Sequence, residues 1–99
     1  MIDRIPLPPR RFSEVVRLNN TTTAQIGYYD DGRPGEVFVD GAKAGSDAEV
    51  NAKDAAVVIS IALQYGVPVD ILRHSVSRDA SGTPQGVVGM VLDKLGELT

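Results

Sequence analysis

DDGRPGEVFVDGAKAGSDAEVNAKDAAVVISIALQYG, residues 30–66, carries a turn, a strand, a helix cap and a long apolar helix in that order. Asp30-Asp31-Gly32-Arg33-Pro34 is turn chemistry: Gly32 takes a positive φ without penalty, and an Asp side chain can bond backbone N–H groups just ahead of it. Glu36 to Asp40 alternates, with Val37 and Val39 on one side and Phe38 on the other, which is the period of a strand. Gly41 to Gly45 is a loop. Ser46-Asp47-Ala48-Glu49 is a capping box, the Ser46 hydroxyl facing the Glu49 N–H and the Glu49 carboxylate reaching back. Acids at 47, 49 and 54 suit the positive end of the helix dipole. The helix is predicted over 46–65, with Gly66 just past its end and Pro68 barring continuation. Ala55 to Leu63 is apolar on every side apart from Ser60. A helix that is apolar all round needs cover all round. In 99 residues one small sheet covers one side, so other helices or a second copy must cover the rest, and a homodimer is expected.

Upstream, Thr22 to Tyr29 alternates, with Ala24, Ile26 and Tyr28 on one face. Asn19-Asn20-Thr21 is a turn, and Phe12 to Leu18, with Val15 and Val16, is a first strand. Three strands with short turns make an antiparallel meander. Residues 1–11 carry Pro6, Pro8 and Pro9 with Arg4, Arg10 and Arg11, and are expected to form an extended arm ahead of one domain over 12–99. Downstream, Pro68 to about Ser77 is predicted as a short helix with Val69, Leu72 and Val76 inward. Thr83 is expected to cap a last helix with Pro84 in its first position. On that helix Val87, Val88, Val91, Leu92 and Leu95 form one stripe, and Gly86 and Gly89 leave a notch. The fold class is α+β: a three-stranded antiparallel meander packed on a long buried helix, with two shorter helices.

Composition sets the outer limits. Net charge is −3 and the pI is near 4.9, against the basic field of a non-specific nucleic-acid binder. Arg4, Arg10, Arg11 and Arg17 nonetheless crowd the first 17 residues, and contact to nucleic acid through them is one alternative. There is no Cys, which removes disulfides, thiolate nucleophiles, thiyl radicals and Cys-held zinc or iron–sulfur sites. MIDRIPLPPRR has no long apolar run, so no signal peptide is expected, and the longest apolar stretch is too short for a membrane span. A cytoplasmic protein is expected.

The stretch GRPGEVFVDGAKAGSDAEVNAKDAAVVISIALQYGVPVDILRHSV resembles the TSCPD domain, found at the C-terminal end of many vitamin B12-dependent (class II) ribonucleotide reductases and as small stand-alone proteins. The matching residues are Gly32-Arg33-Pro34, Glu36-Val37-Phe38, Gly45-Ser46 and the step Leu63-Gln64-Tyr65-Gly66-Val67-Pro68. The family's naming motif, Ser-Cys-Pro-Asp before a final helix, is only partly matched by Gly82-Thr83-Pro84-Gln85, and its cysteine is missing. A reductase needs a radical-bearing cysteine, a redox cysteine pair and a barrel of several hundred residues; none is here. The resemblance therefore implies a non-catalytic accessory or interaction module in the setting of deoxyribonucleotide synthesis, with a reductase catalytic subunit as partner. Adenosylcobalamin enters only through the family association; the chain itself is expected to hold neither it nor a metal.

The polar residues leave a few candidate sites. His74, the only histidine, has Asp70 four residues before it and Arg78 four after; a small enzyme using His74 with Asp70 or Asp54 is the other alternative. Ser60 is expected to bond the carbonyl of Ala56. Thr83 and Gly86 mark a candidate anion site at a helix start. Asp31, Arg33 and Glu36 flank the hairpin turn and are the candidate partner contact.

Overall fold

A computed structural model describes residues 3–41 and 43–98. The elements run β1 (Ser13–Arg17), β2 (Thr23–Tyr28), β3 (Pro34–Asp40), α1 (Asp47–Gln64), α2 (Val69–Arg73) and α3 (Val87–Leu98). The strands form one antiparallel sheet in the order β1-β2-β3, so the protein is an α+β meander as its alternations imply. Gln25 stands opposite Val15 on one side and Phe38 on the other; Ile26 stands opposite Glu14 and Val37. Side chains of one parity, Ala24, Ile26 and Val37, enter the core, where they meet Ile59 and Leu63 of α1 and Val91, Leu92 and Leu95 of α3.

Local chemistry places α1. The Ser46 hydroxyl accepts from the Glu49 N–H at 3.2 Å, and the Glu49 carboxylate accepts from the Gly45 N–H at 3.0 Å, one residue earlier than the reciprocal bond of a capping box requires. At the other end Gly66 has φ +85, and the Val67 N–H reaches back to the Ala62 carbonyl at 3.0 Å. The helix lies along the free edge of β3. Ser60 bonds Ala56 at 2.8 Å, as expected, and also accepts from the Val37 N–H at 2.9 Å. One turn on, Gln64 donates to the Gly35 carbonyl at 2.9 Å. Residues four apart on a helix rise about 6 Å and residues two apart on a strand about 6.6 Å, so the two periods match and α1 closes this edge with side chains. Only one side of the Ala55–Leu63 stretch is covered, since Val57 and Val58 stay 57% and 66% exposed.

Two expectations need correction. The helix after Pro68 ends at Arg73 instead of continuing to Ser77, because the Arg78 guanidinium takes the Arg73 carbonyl at 3.0 Å that a further helical turn would use. Thr83 does not cap α3 and Pro84 is not in its first turn. Pro84 is held extended against Arg78, and Thr83 is bound at both backbone groups by Asp79, so α3 starts at Val87. The N-terminal segment, without helix or strand over the described residues 3–11, docks on the domain: the Ile5 N–H bonds the Gln64 carbonyl at 3.0 Å and the Tyr29 hydroxyl donates to the Ile5 carbonyl at 2.6 Å.

Candidate functional site

The β2–β3 turn pairs two of its three charged residues, Asp31 and Arg33. The Asp31 carboxylate accepts from the Arg33 N–H at 3.0 Å and from its Nε at 2.8 Å, and both bonds hold the Asp31 carboxyl below the usual range. The Arg33 guanidinium also lies 5.0 Å from the centroid of the Tyr29 ring, within cation–π range. Strand parity sends Glu36 elsewhere. It faces away from the core and pairs with Arg11 at 2.7 and 3.0 Å, which raises the Arg11 pKa. Of the three residues proposed as one contact, the turn unites Asp31 and Arg33 and leaves Glu36 with the N-terminal segment.

The turn does not stand alone. Arg33 and Pro34 face Leu63, Gly66, Pro68 and Asp70 across a notch of about 260 Å³. Apart from Asp70, these residues come from two of the sequence steps that carry the family resemblance, Gly32-Arg33-Pro34 and Leu63 to Pro68, which lie about 30 residues apart in the chain. The left-handed turn at Gly66 ends α1 at this point and brings the second step back to the first.

The other candidates do not converge. His74 is the exposed terminal cap of α2. Asp70 pairs with Arg73 at 3.1 Å, and Arg78 lies outside the helix, bound to Asp93, so the expected Asp70-His74-Arg78 helical face does not form. Asp54 is exposed on α1. Thr83 and Gly86 do not share a helix N-terminus. The Thr83 N–H is taken by the Asp79 carboxylate at 3.0 Å, a negative charge where an anion would sit, and only Gly86 adjoins α3. The Ser81 hydroxyl, then the Thr83 and Ser81 N–H groups, hold the Asp79 carboxyl low. Three of the four arginines are engaged separately: Arg4 bonds Gln64, Arg11 bonds Glu36, and Arg17 bonds the Asn20 carbonyl. Among the described residues no three His, Cys, Asp or Glu side chains converge as metal ligands, and no helix is long and apolar enough to cross a membrane.

Two features gave no local signal. Asp93 on α3 accepts from Arg78 at 2.7 and 3.1 Å and from Arg73 at 3.3 Å, tying α2 and the following loop to α3. A groove of about 740 Å³ also runs between β3 and α1, with Phe38, Val57 and Ile61 as its apolar walls.

The family model of the TSCPD domain matches residues 10–92. A vitamin B12-dependent ribonucleotide reductase of Bradyrhizobium diazoefficiens is 37% identical over 73 residues, which cover 71% of this chain and 6% of that protein. Another, from Rhodopirellula baltica, is 42% identical over 52 residues, or 52% of this chain and 5% of the relative. A third, from Agrobacterium fabrum, is 43% identical over 46 residues, covering 46% and 4%. The chain thus spans a small fraction of the length of these curated relatives. No solved structure gives a significant match.

Proposed function

Since this chain belongs to the TSCPD domain family, we propose that it is a non-catalytic interaction module that docks on the catalytic subunit of a vitamin B12-dependent ribonucleotide reductase. The observation that carries this reading is the convergence of two family-like steps on one notch, with Arg33 held ready at its rim by Asp31 and Tyr29. A guanidinium already stacked and paired loses little freedom on binding, which suits a contact residue. The setting proposed is the cytoplasm.

The residues do not fit a resident cobalamin. The single imidazole, His74, is exposed at the end of a short helix and lines neither the notch nor the groove. The cofactor is assigned to the partner subunit, and no step in this chain runs through it.

The test is a titration of the full chain against such a catalytic subunit. Arg33→Ala is expected to weaken binding about tenfold or more, the range of a contact that anchors an interface. His74→Ala is expected to leave affinity unchanged. Absence of binding, or full affinity in Arg33→Ala, would overturn the docking surface. A turnover activity lost in His74→Ala would favour the small-enzyme alternative instead.

A further inference from the structure

Val15, Gln25 and Phe38 form one cross-strand row on the face of the sheet opposite the core, and all three are exposed, Val15 to 68% and Phe38 to 55%. Beyond Phe38, across the groove, α1 presents Val50, Val57 and Ile61, seven and four residues apart on one side of the helix and likewise exposed. Together these side chains leave on the order of 500 Å² of apolar surface, at the upper end for the largest patch on a monomer and often a sign of function. A stable pair of proteins buries about 800 Å² on each side, so the patch would form the apolar centre of such an interface and polar residues around it the rest. A peptide lying in the groove would cover Phe38, Val57 and Ile61 and leave Val15, two strands away, in water. A second copy is broad enough to cover all of them.

Charge sets the orientation. Four charged residues line the groove: Arg4 at the end where Gln64 meets Gly35, Asp40 at the far end of β3 roughly 15 Å away along the strand, and Glu36 and Lys53, which already pair with Arg11 at 2.7 Å and Glu49 at 3.9 Å. Among the described residues Arg4 has no carboxylate partner and Asp40 no cation within salt-bridge distance. We infer that two copies pair face to face about a two-fold axis running across the strands, burying Val15, Phe38, Val57 and Ile61 and setting Arg4 of each copy against Asp40 of the other. That axis reverses strand direction while keeping β3 over β3 and α1 over α1, so opposite ends of the groove meet. An axis along the strands would put Asp40 over Arg17, but it would carry α1 past the other copy's β1 edge and leave Val57 and Ile61 in water. The pairing uses a surface other than the notch at Arg33 and stands independently of reductase docking.

Sedimentation equilibrium of the full chain decides it. At about 100 µM a mass twice the 10.5 kDa of one chain is expected, since an interface of this size supports at least micromolar affinity. Phe38→Glu and Val57→Glu should each give monomers with the circular dichroism and thermal midpoint of a folded chain, because both side chains already face solvent within one copy. Arg4→Glu and Asp40→Arg should each weaken the dimer about tenfold, and the two together in one chain should restore it. Arg17→Glu should have no effect. A monomer throughout, a dimer that survives Phe38→Glu, or the absence of rescue in the double reversal would overturn the inferred pairing. So would a monomer whose reductase binding is lost on Phe38→Glu, which would assign the surface to a different protein.

Discussion

Helices α1 and α3 are both rich in aliphatic residues, and they use them differently. On α3 the apolar side chains lie on one side, and Val91, Leu92 and Leu95 are buried to within 1% of full cover. On α1 the apolar residues go round the helix, yet only Ala56, Ile59 and Leu63 are buried among them, while Val50, Val57, Val58 and Ile61 face outward. The buried polar partner is Gln64, which with Ser60 spends its hydrogen bonds on the edge of β3. A one-sided stripe records one core. An all-round apolar helix in a chain too small to cover it records two surfaces, one for the chain's own core and one for something outside it. The helix α1 sits at the margin of the sheet, so its inner side serves the fold and its outer side is free for association.

Paired truncations break or uphold this contrast. Leu92→Ala on α3 removes a side chain that is 1% exposed and is expected to cost about 3–5 kcal/mol, the loss of transfer energy plus a cavity. Val58→Ala on α1, at 66% exposure, is expected to stay within about 0.5 kcal/mol. Urea midpoints at low protein concentration, where any dimer is dissociated, measure both. A loss above about 2 kcal/mol for Val58→Ala would mean that α1 has no second, outward surface.

The polar anchorage of α1 comes next in size. Ser60→Ala leaves the Val37 N–H without its acceptor at the part-buried edge of β3, and is expected to cost about 1–3 kcal/mol. Hydrogen exchange gives the sharper reading: protection at Val37 should fall more than at Ile26 in β2. Equal loss at both would make Ser60 a packing residue only. On α3 the matching test concerns closeness. A Cβ at Gly89 would lie 2.6 Å from Pro84 Cβ, whereas one at Gly86 meets nothing within 4 Å. Gly89→Ala is expected to cost about 1 kcal/mol after the gain in helix propensity offsets part of the overpacking. Gly86→Ala should be near neutral. Thermal melts of the two variants side by side check this.

Whether these features could be seen in the sequence follows their range along the chain. The strands, the Ser46 cap and the Gly66 stop depend on neighbours within about four residues, and periodicity or capping chemistry reveals them. The Asp31–Arg33 pair is legible for the same reason. The Ser60 and Gln64 bonds reach 23 and 29 residues back to β3, so their donors and acceptors look like ordinary helix polar groups in the sequence. The misplaced start of α3 has a local cause of another kind. Thr83-Pro84 is good helix-start chemistry, but the Asp79 carboxylate bonds the Ser81 and Thr83 N–H groups first and folds the segment into a tight loop. Arg78 ends α2 by competing for a carbonyl, which no helical spacing can show. The notch at Arg33 needed the fold, because its two walls meet only once α1 has packed along β3.

The smallest expected effect lies on the polar side of α3 and has a definite sign with pH. Asp93 is held below the ordinary carboxylate value first by its hydrogen bonds from Arg78 and then by Arg73, against an opposing contribution from burial. A depressed carboxyl contributes stability above its unfolded value, about 3.9, and loses it as the pH falls through the folded value. The side chains of Arg78 and Asp93 are 22% and 29% exposed, so solvent screens the pair and its loss at pH 7 should cost less than about 1 kcal/mol. Asp93→Asn is therefore expected to unfold at a slightly lower urea concentration than the wild type at pH 7, and the gap should close as the pH is taken from about 5 to 2.5. High salt at pH 7 should narrow it as well. A gap that stayed constant with pH would show that Asp93 acts through shape rather than charge. The α2–α3 seam would then be an apolar junction, like the core side of α3, and the only polar anchorage left in the comparison would be that of α1 on β3.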